Sequence, residues 1–207
     1  MFLKYKYFFR AVFLLISASA VLAEDGEQEM SAREVVANFQ AQLLETMKNG
    51  KTLGFEGRYK KLTEPVIKSH DLTKIARIVV GREWKKLTDE QKQKLVDVFS
   101  RLSIASYAHN FKDFSDEKFE IVSEEETPRG GVIVHTLLKI PGEKDVKLDY
   151  QMKKKGNEWR IINIIANGVS DLALKRSEYT SILKREGFDA LLEKISGKIK
   201  QYSTNKE

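Results

Sequence analysis

Hydrophobic and polar positions change their period along this chain, and the most informative stretch spans residues 158–176. Six of the eight residues 159–166 are apolar, which predicts a strand that is covered on both faces, at least along its middle. Asn167-Gly168 is a turn signal, and Ser170 can cap the helix that the apolar positions of 172–183 predict. A buried strand that leads directly into an amphipathic helix indicates a sheet with helices packed against it.

The first part of the chain has the helical period. The S-x-x-E sequence of residues 31–34 is a capping box, and the apolar stripe of residues 35–47 predicts a helix behind it. Asn49-Gly50 is expected to end this helix. Residues 54–62 have no clear pattern, and we expect the side chain of Arg58 to be exposed there.

Two further helices precede the centre of the chain. Pro65 is expected to fix a bend, and Asp71 is the natural N-cap of a short helix that Gly81 ends. A second capping box at residues 88–91 opens the longest helix, which is predicted to run to about Asn110.

The period then changes from 3.6 to 2, which predicts strands. They are expected around residues 119–121, 132–140, 146–152 and 158–166, with short turns between them, and a last helix over residues 188–199. The fold prediction is an α+β domain. It has a four-stranded antiparallel meander sheet and helices packed on one face.

The first 23 residues have the features of a secretory signal. Three basic residues precede an apolar core at residues 11–22, and cleavage is expected after Ala23. An uncleaved anchor is the alternative, although this apolar run is shorter than the ~20 residues that a spanning helix needs. We therefore expect residues 1–23 to be a signal peptide and residues 24–207 to form a single domain.

Composition limits the classes of function. The chain has 36 basic and 30 acidic residues, and residues 1–23 contain three basic and no acidic ones, so the remainder has 33 and 30, a net charge of +3. This small excess, together with export, argues against nucleic-acid binding. The chain has no cysteine, so in an oxidising compartment its stability must come from a hydrophobic core.

Catalytic and metal-binding motifs are missing from the sequence. His70, His109 and His135 are far apart and lack the spacing of metal ligands, so no metal or other cofactor is expected. A nucleophilic cysteine, a nucleophile elbow, a phosphate-binding loop and a dinucleotide fingerprint are all absent.

Two charged features remain. Asp149 is a candidate acid in a pocket, or it faces solvent or Lys147, or forms an ion pair with Arg160. The basic run of residues 153–155 is either a solvated hairpin tip or a weak contact for lipid headgroups or a partner.

Three blocks of sequence resemble a known family. They are HDLTKIARIVVGREW from His70, LTDEQKQKLVDVFSRLSIASYAHNF from Leu87, and KLDYQMKKKGNEWRIINIIANGVSDLALKRSEYTSIL from Lys147. Together they resemble the MlaC-type toluene-tolerance family of periplasmic phospholipid-binding proteins, and the similarity extends over residues 35–195. The run SDLALKRSEYTSIL is closer still to the hopanoid-associated, HpnM-like branch.

The resemblance implies a periplasmic lipid carrier rather than an enzyme, a monomer that binds a phospholipid or a hopanoid-like lipid. The implied partners are an inner-membrane ABC transporter complex and an outer-membrane lipoprotein complex. Lipid tails would lie in an apolar pocket between sheet and helices. The expected lipid-binding residues are Ile75, Ile78, Val79, Phe99, Leu102, Ser106, Tyr107, Val134, Leu148, Tyr150, Met152, Ile164, Val169, Leu172, Ala173 and Tyr179.

Periodicity alone does not separate the lining of a pocket from an ordinary core, so each of these residues has a core role as its alternative. Two other functions stay open from the residues themselves. One is an enzyme of the cone-shaped α+β type that uses Asp149 or a tyrosine. The other is a structural adaptor of a membrane lipid-transport complex.

Overall fold

The computed structural model describes residues 29–204, and these form helices packed on an antiparallel sheet. The predicted signal peptide therefore lies outside the described residues. The helices are α1 (Ala32–Lys48), α2 (Gly50–Ser69), α3 (Leu72–Val80), α4 (Asp89–Asn110), α5 (Asp171–Arg185) and α6 (Phe188–Thr204), with a 3-10 helix at Gly81–Lys86. The strands are β1 (Lys118–Thr127), β2 (Gly131–Lys139), β3 (Val146–Lys155), β4 (Glu158–Ala166) and β5 (Val169–Ser170).

The sheet is a meander with the order β1-β2-β3-β4-β5, and every neighbouring pair is antiparallel. The α+β class is confirmed, but the prediction of four strands is wrong because β5 adds a fifth. Asn167 (φ 49°) and Gly168 (φ 81°) form the tight turn between β4 and β5, with both residues in the left-handed region. The strand that follows has two residues, which is too short to produce a recognisable period.

The sheet has one well-covered face. Val134 and Thr136 on β2, and Leu148, Tyr150 and Met152 on β3, alternate with partly exposed residues and are buried. Strand β4 differs from the prediction of coverage on both faces. Only its Ile161 is fully buried, and its remaining residues are partly or fully exposed.

Both predicted capping boxes are present. In the first, Glu34 N donates to Ser31 Oγ (3.2 Å) and Ser31 N donates to Glu34 Oε2 (2.7 Å). In the second, Gln91 N donates to Thr88 Oγ1 (3.1 Å) and Thr88 N to Gln91 Oε1 (3.0 Å). These bonds satisfy amide groups that a helix start would otherwise leave unpaired. Asp71 also caps α3 as predicted, and Gly81 ends that helix.

The stretch without a clear pattern is helical. Helix α2 spans residues 50–69, contains Pro65, and has its one non-helical residue at Gly54 (φ 57°). The prediction that Arg58 is exposed is wrong, because its side chain is 1% exposed. Its Nε donates to Ala108 O and its Nη1 to Gly50 O, both at 2.7 Å. Buried carbonyl partners therefore compensate the guanidinium for lost water.

Helix α4 lies at the centre of the helical layer and packs against α2, α3 and α6. Its Leu95, Phe99 and Leu102 belong to the main hydrophobic cluster, which also includes the buried face of the sheet and the stripe of α1. Helix α5 packs mainly against α3, and only its Tyr179 and Ile182 are buried. Within residues 29–204, none of the helices combines the length and apolarity that a membrane span requires.

Candidate functional site

A cavity of about 350 Å³ lies between one end of the covered sheet face and helices α3, α4 and α5, with Tyr202 of α6 at its border. Strand β4 and the turn that leads into α5 form one wall, and α4 forms the opposite wall. The lining is predominantly apolar, with a few polar side chains among the hydrocarbon. A cavity of this composition accommodates an apolar ligand that has a small number of polar groups.

The structure brings many of the predicted lipid-binding residues together around this cavity. Helix α4 supplies an apolar and polar face, the strands supply the opposite wall, and the first residues of α5 border the opening. The predicted residues that line it are Ile75, Phe99, Leu102, Ser106, Tyr107, Leu148, Tyr150, Ile164, Val169 and Leu172.

The other predicted residues lie elsewhere. Val79, Val134, Met152 and Tyr179 are at most 3% exposed and belong to the main hydrophobic cluster. The remaining two, Ile78 and Ala173, line a smaller adjoining cavity of about 240 Å³ that shares Ile162, Asn163 and Leu172 with the first. Periodicity identifies the inward stripe of an element, but packing of the whole chain decides which of its members meet a void.

Several residues of the lining were not predicted. The apolar ones include Phe111, Ile161, Ile162, Ala166 and Tyr202, and the polar ones include His70, Ser103, Asn110, Asn163, Asp171 and Lys175. Ser103 and Asn110 could have been found, because they lie one turn from Tyr107 and Ser106 on α4. His70 could not, because it follows α2 in sequence and reaches the cavity only through the packing of α2 on the sheet.

A chain of hydrogen bonds ends at the cavity. Tyr107 Oη lies 2.9 Å from His70 Nε2, His70 Nδ1 lies 2.8 Å from Ser69 Oγ, and the Ser69 hydroxyl donates to Pro65 O at 2.6 Å. Phe39 packs edge-on against both rings, with centroids 5.0 Å from His70 and 5.1 Å from Tyr107. The two polar rings are thus fixed by packing as well as by hydrogen bonds.

Burial keeps these groups neutral. It lowers the pKa of His70 to about 4, and it raises the pKa of Tyr107 well above its ordinary value. Tyr150 is 1% exposed and borders the same cavity, and burial raises its pKa to about 12. The inner part of the cavity therefore offers uncharged polar atoms at neutral pH.

The charged side chains of the cavity lining, Asp171 and Lys175, lie at the start of α5. Lys175 Nζ forms an ion pair with Asp171, with the Lys175 side chain 18% exposed and that of Asp171 71% exposed. Ser170 caps the same helix by accepting from Ala173 N, and its hydroxyl donates to Asn163 Oδ1 at 3.0 Å. This polar border joins β4 to α5 at the edge of the apolar lining.

Asp149 lies on the opposite face of the sheet from the cavity. Its Oδ1 is 2.7 Å from His135 Nδ1, and Glu125 Oε2 is 3.5 Å from His135 Nε2. The predicted alternative of an ion pair with Arg160 is wrong, since Arg160 pairs with Glu158 at 2.5 Å. Within residues 29–204, no group of three acidic, histidine or cysteine side chains is placed to hold a metal ion.

The chain is similar in sequence to two named bacterial proteins. It is 27% identical over 121 residues to the intermembrane phospholipid transport system binding protein MlaC of Haemophilus influenzae, and the match covers 56% of each chain. The match thus spans little more than half the length of that protein. The chain is also 21% identical over 188 residues to the toluene tolerance protein ttg2D of Pseudomonas putida, covering 87% of this chain and 84% of that protein.

A solved structure has the same fold. It is the phospholipid-binding protein from Ralstonia solanacearum in complex with a phospholipid, with a TM-score of 0.74 and 22% identity over 84% of this chain and 100% of that chain. The family model described as MlaC protein matches residues 37–197. Since this match runs from within α1 to within α6 and includes every element between them, the chain belongs to the MlaC family.

Proposed function

We propose that this protein is a periplasmic lipid carrier that holds acyl or isoprenoid tails in the cavity between the sheet and helices α3, α4 and α5. The observation that carries the proposal is this largely apolar cavity in a member of the MlaC family. Two relatives add support: one is named as a phospholipid transport binding protein, and the other was solved with a phospholipid. The names of these two relatives describe lipid binding or lipid transport, which favours a carrier over an enzyme.

The physical need for a closed site follows from the cost of exposing hydrocarbon. Each methylene group that moves from a bilayer into water costs about 0.8 kcal/mol. Two acyl chains contain about 30 such groups, so unprotected transfer costs on the order of 20 kcal/mol by that coefficient. A surface patch cannot compensate such a cost, whereas an enclosed cavity can.

The cavity must widen to take a complete lipid. Its 350 Å³ lies near the lower end of the roughly 300–1,000 Å³ of sites for drug-sized ligands, and a phospholipid is larger. Helix α5 is the element best suited to move, because it has few buried residues and lies between the turn at Asn167-Gly168 and the break at Gly187 (φ 90°). We infer that outward displacement of α5 admits the tails.

The chemical identity of the lipid and the partners belong to the same proposal. Residues 1–23 have the pattern of a signal peptide, which supports a periplasmic location. By resemblance, the carrier exchanges lipid with an inner-membrane ABC transporter complex and an outer-membrane lipoprotein complex, acting as a monomer. The ligand is a phospholipid or, if the chain belongs to the hopanoid-associated branch, a hopanoid-like lipid.

The test is the lipid load of the purified protein. We expect native mass spectrometry of freshly extracted protein to show a bound lipid, which tandem fragmentation then identifies. Leu102→Trp places an indole in the cavity and should abolish this load. Leu174→Trp is the matched control, because Leu174 is on α5, 61% exposed and outside the cavity lining.

Three results would contradict the proposal. They are a lipid-free mass from fresh extract, a lipid load that Leu102→Trp leaves intact, and equal loss of load in both tryptophan variants. Circular dichroism must accompany the comparison, because overpacking a filled core costs about 1–3 kcal/mol of stability. If Leu102→Trp lowers the folding stability by less than this range, the result supports a real void beside Leu102.

A further inference from the structure

The donor and the acceptor of each hydrogen bond in the chain from Ser69 to Tyr107 can be assigned. The Ser69 hydroxyl has one hydrogen, which it donates to Pro65 O at 2.6 Å. His70 Nδ1 lies 2.8 Å from that same hydroxyl oxygen and 3.2 Å from Val66 O, which can only accept. Nδ1 must therefore carry the imidazole hydrogen.

The tautomer fixes the role of Tyr107. Burial lowers the pKa of His70, so its imidazole is neutral, and Nε2 then has a lone pair and no hydrogen. Tyr107 Oη, 2.9 Å away, must donate its hydrogen to Nε2. Within residues 29–204 this is the one hydrogen bond of the Tyr107 side chain. Its oxygen can therefore still accept a hydrogen bond, but it has no further hydrogen to donate.

The hydroxyl oxygen of Ser103 in the lining can likewise accept a hydrogen bond but has no free hydrogen to donate. Ser103 lies one turn before Tyr107 on the same side of α4, and its hydroxyl donates to Phe99 O at 2.9 Å. Ser106 differs, because it accepts from Asn110 Nδ2 at 3.3 Å and keeps its own hydrogen, but it lies beside the exposed Asn110. The hydroxyl groups of Ser103 and Tyr107 can therefore only accept a hydrogen bond from a ligand.

We infer that the ligand of this cavity presents a hydrogen-bond donor, a hydroxyl or amino group on an otherwise apolar body, to the oxygen of Tyr107. This inference rests on the proposed function and names the class of lipid. The ester groups of an ordinary diacyl lipid offer only acceptors, so they do not complement this point. A hydroxylated hydrocarbon chain or ring system does.

Matched probes test the inference. A series of hydroxystearates that differ in the position of the hydroxyl group, with the corresponding oxostearates and stearate itself, compete against a fluorescent fatty-acid probe bound to the full-length protein. At the best position, the hydroxystearate should bind about threefold to tenfold more tightly than its oxostearate, since one hydrogen bond is made in one case and missing in the other. Only the ratio within each protein variant is compared, so a general change of affinity cancels.

Two variants assign the effect to Tyr107. Tyr107→Phe removes the acceptor and should bring the ratio to about one. His70→Leu removes the partner of the Tyr107 hydrogen, frees that hydrogen for a ketone, and should also bring the ratio to one or reverse it. Because the two changes act on opposite sides of the same bond, one of them can fail to fold without ending the test.

The outcomes separate this inference from the function on which it rests. A ratio of one or less at every position in the wild-type protein, or a preference that Tyr107→Phe leaves unchanged, overturns the assignment while the carrier function stands. Failure of the wild-type protein to bind stearate and vesicles of dioleoylphosphatidylglycerol alike overturns the carrier function itself.

Discussion

Replacing Arg58 with methionine tests how the junction between α2 and the end of α4, beside the cavity, is held together. The Arg58 guanidinium joins Ala108 O, in the last turn of α4, to Gly50 O, at the start of α2, with both distances 2.7 Å. The backbones of the two segments lie very close together at this junction, since a Cβ atom added to Gly50 would lie 1.9 Å from Lys112 O. Phe111, just after α4, borders the cavity. Loosening this junction is therefore expected to disturb the lining of the cavity.

The magnitude follows from the two carbonyl groups. Methionine fills most of the space of the arginine stem but leaves both buried oxygens without these donors. Each unpaired group costs about 1–3 kcal/mol, so we expect a loss of about 2–6 kcal/mol in the free energy of unfolding. Native domains are stable by about 5–15 kcal/mol, so the variant should fold but be markedly weakened.

The assay is urea unfolding followed by far-ultraviolet circular dichroism. For a slope of about 2 kcal/mol/M, a loss of 4 kcal/mol lowers the midpoint by about 2 M, and the slope itself should not change. Lys60→Met is the matched control, because Lys60 is exposed on the same helix and the charge change is equal. Arg58→Lys keeps the positive charge but not the planar guanidinium that reaches both carbonyl groups. Its loss in the free energy of unfolding should lie between those of the other two variants. A loss in Arg58→Met within 0.5 kcal/mol of the Lys60→Met value would refute this account.

The remaining predictions concern pH and helix capping. The folded-state pKa of His70 is about 4, below its unfolded value of about 6.5, so stability should fall by about 3 kcal/mol as pH drops through that window. His70→Gln should remove this slope in urea titrations, and an unchanged slope would contradict it. His135 acts oppositely, because its hydrogen bond with Asp149 raises its pKa, and the small stabilisation present below pH ~6.5 is lost as pH rises through the folded-state value. His135→Gln should therefore lower stability more at acidic than at alkaline pH, and equal effects at both would exclude the pair. Thr88→Ala should cost about 0.5–2 kcal/mol by thermal melting, and no change would mean that this cap is redundant.

Local signals predicted the elements that depend on local bonds. The capping boxes at Ser31 and Thr88 join residues three apart, so their sequence contains both partners. The β2–β3 and β3–β4 hairpins depend on short turns between alternating strands, which the sequence also shows. Helix α2 was missed because Gly54, Gly57 and Pro65 lower its intrinsic propensity. Contacts with α1 and α4, including the buried Arg58, stabilise it instead.

The cavity shows the same division. Apolar periodicity selected the inward stripes of α3, α4 and β3, and many of those residues border the void. It could not tell Tyr107, which meets the void, from Met152 or Val134, which meet other side chains. That distinction depends on how far two layers stand apart, and separation between layers is not encoded at any single position.

The sequence by itself determined the α+β class, the order of five of the six helices and four of the five strands, and many of the caps and turns between them, because caps, turns and periods act over a few residues. Only the tertiary structure decided the fifth strand, the burial of Arg58 and the meeting of His70 with Tyr107, which are 37 positions apart. Such contacts depend on the closure of long loops and the packing of whole layers. Their partners are brought together by the fold, and nothing near them in the chain announces the pairing.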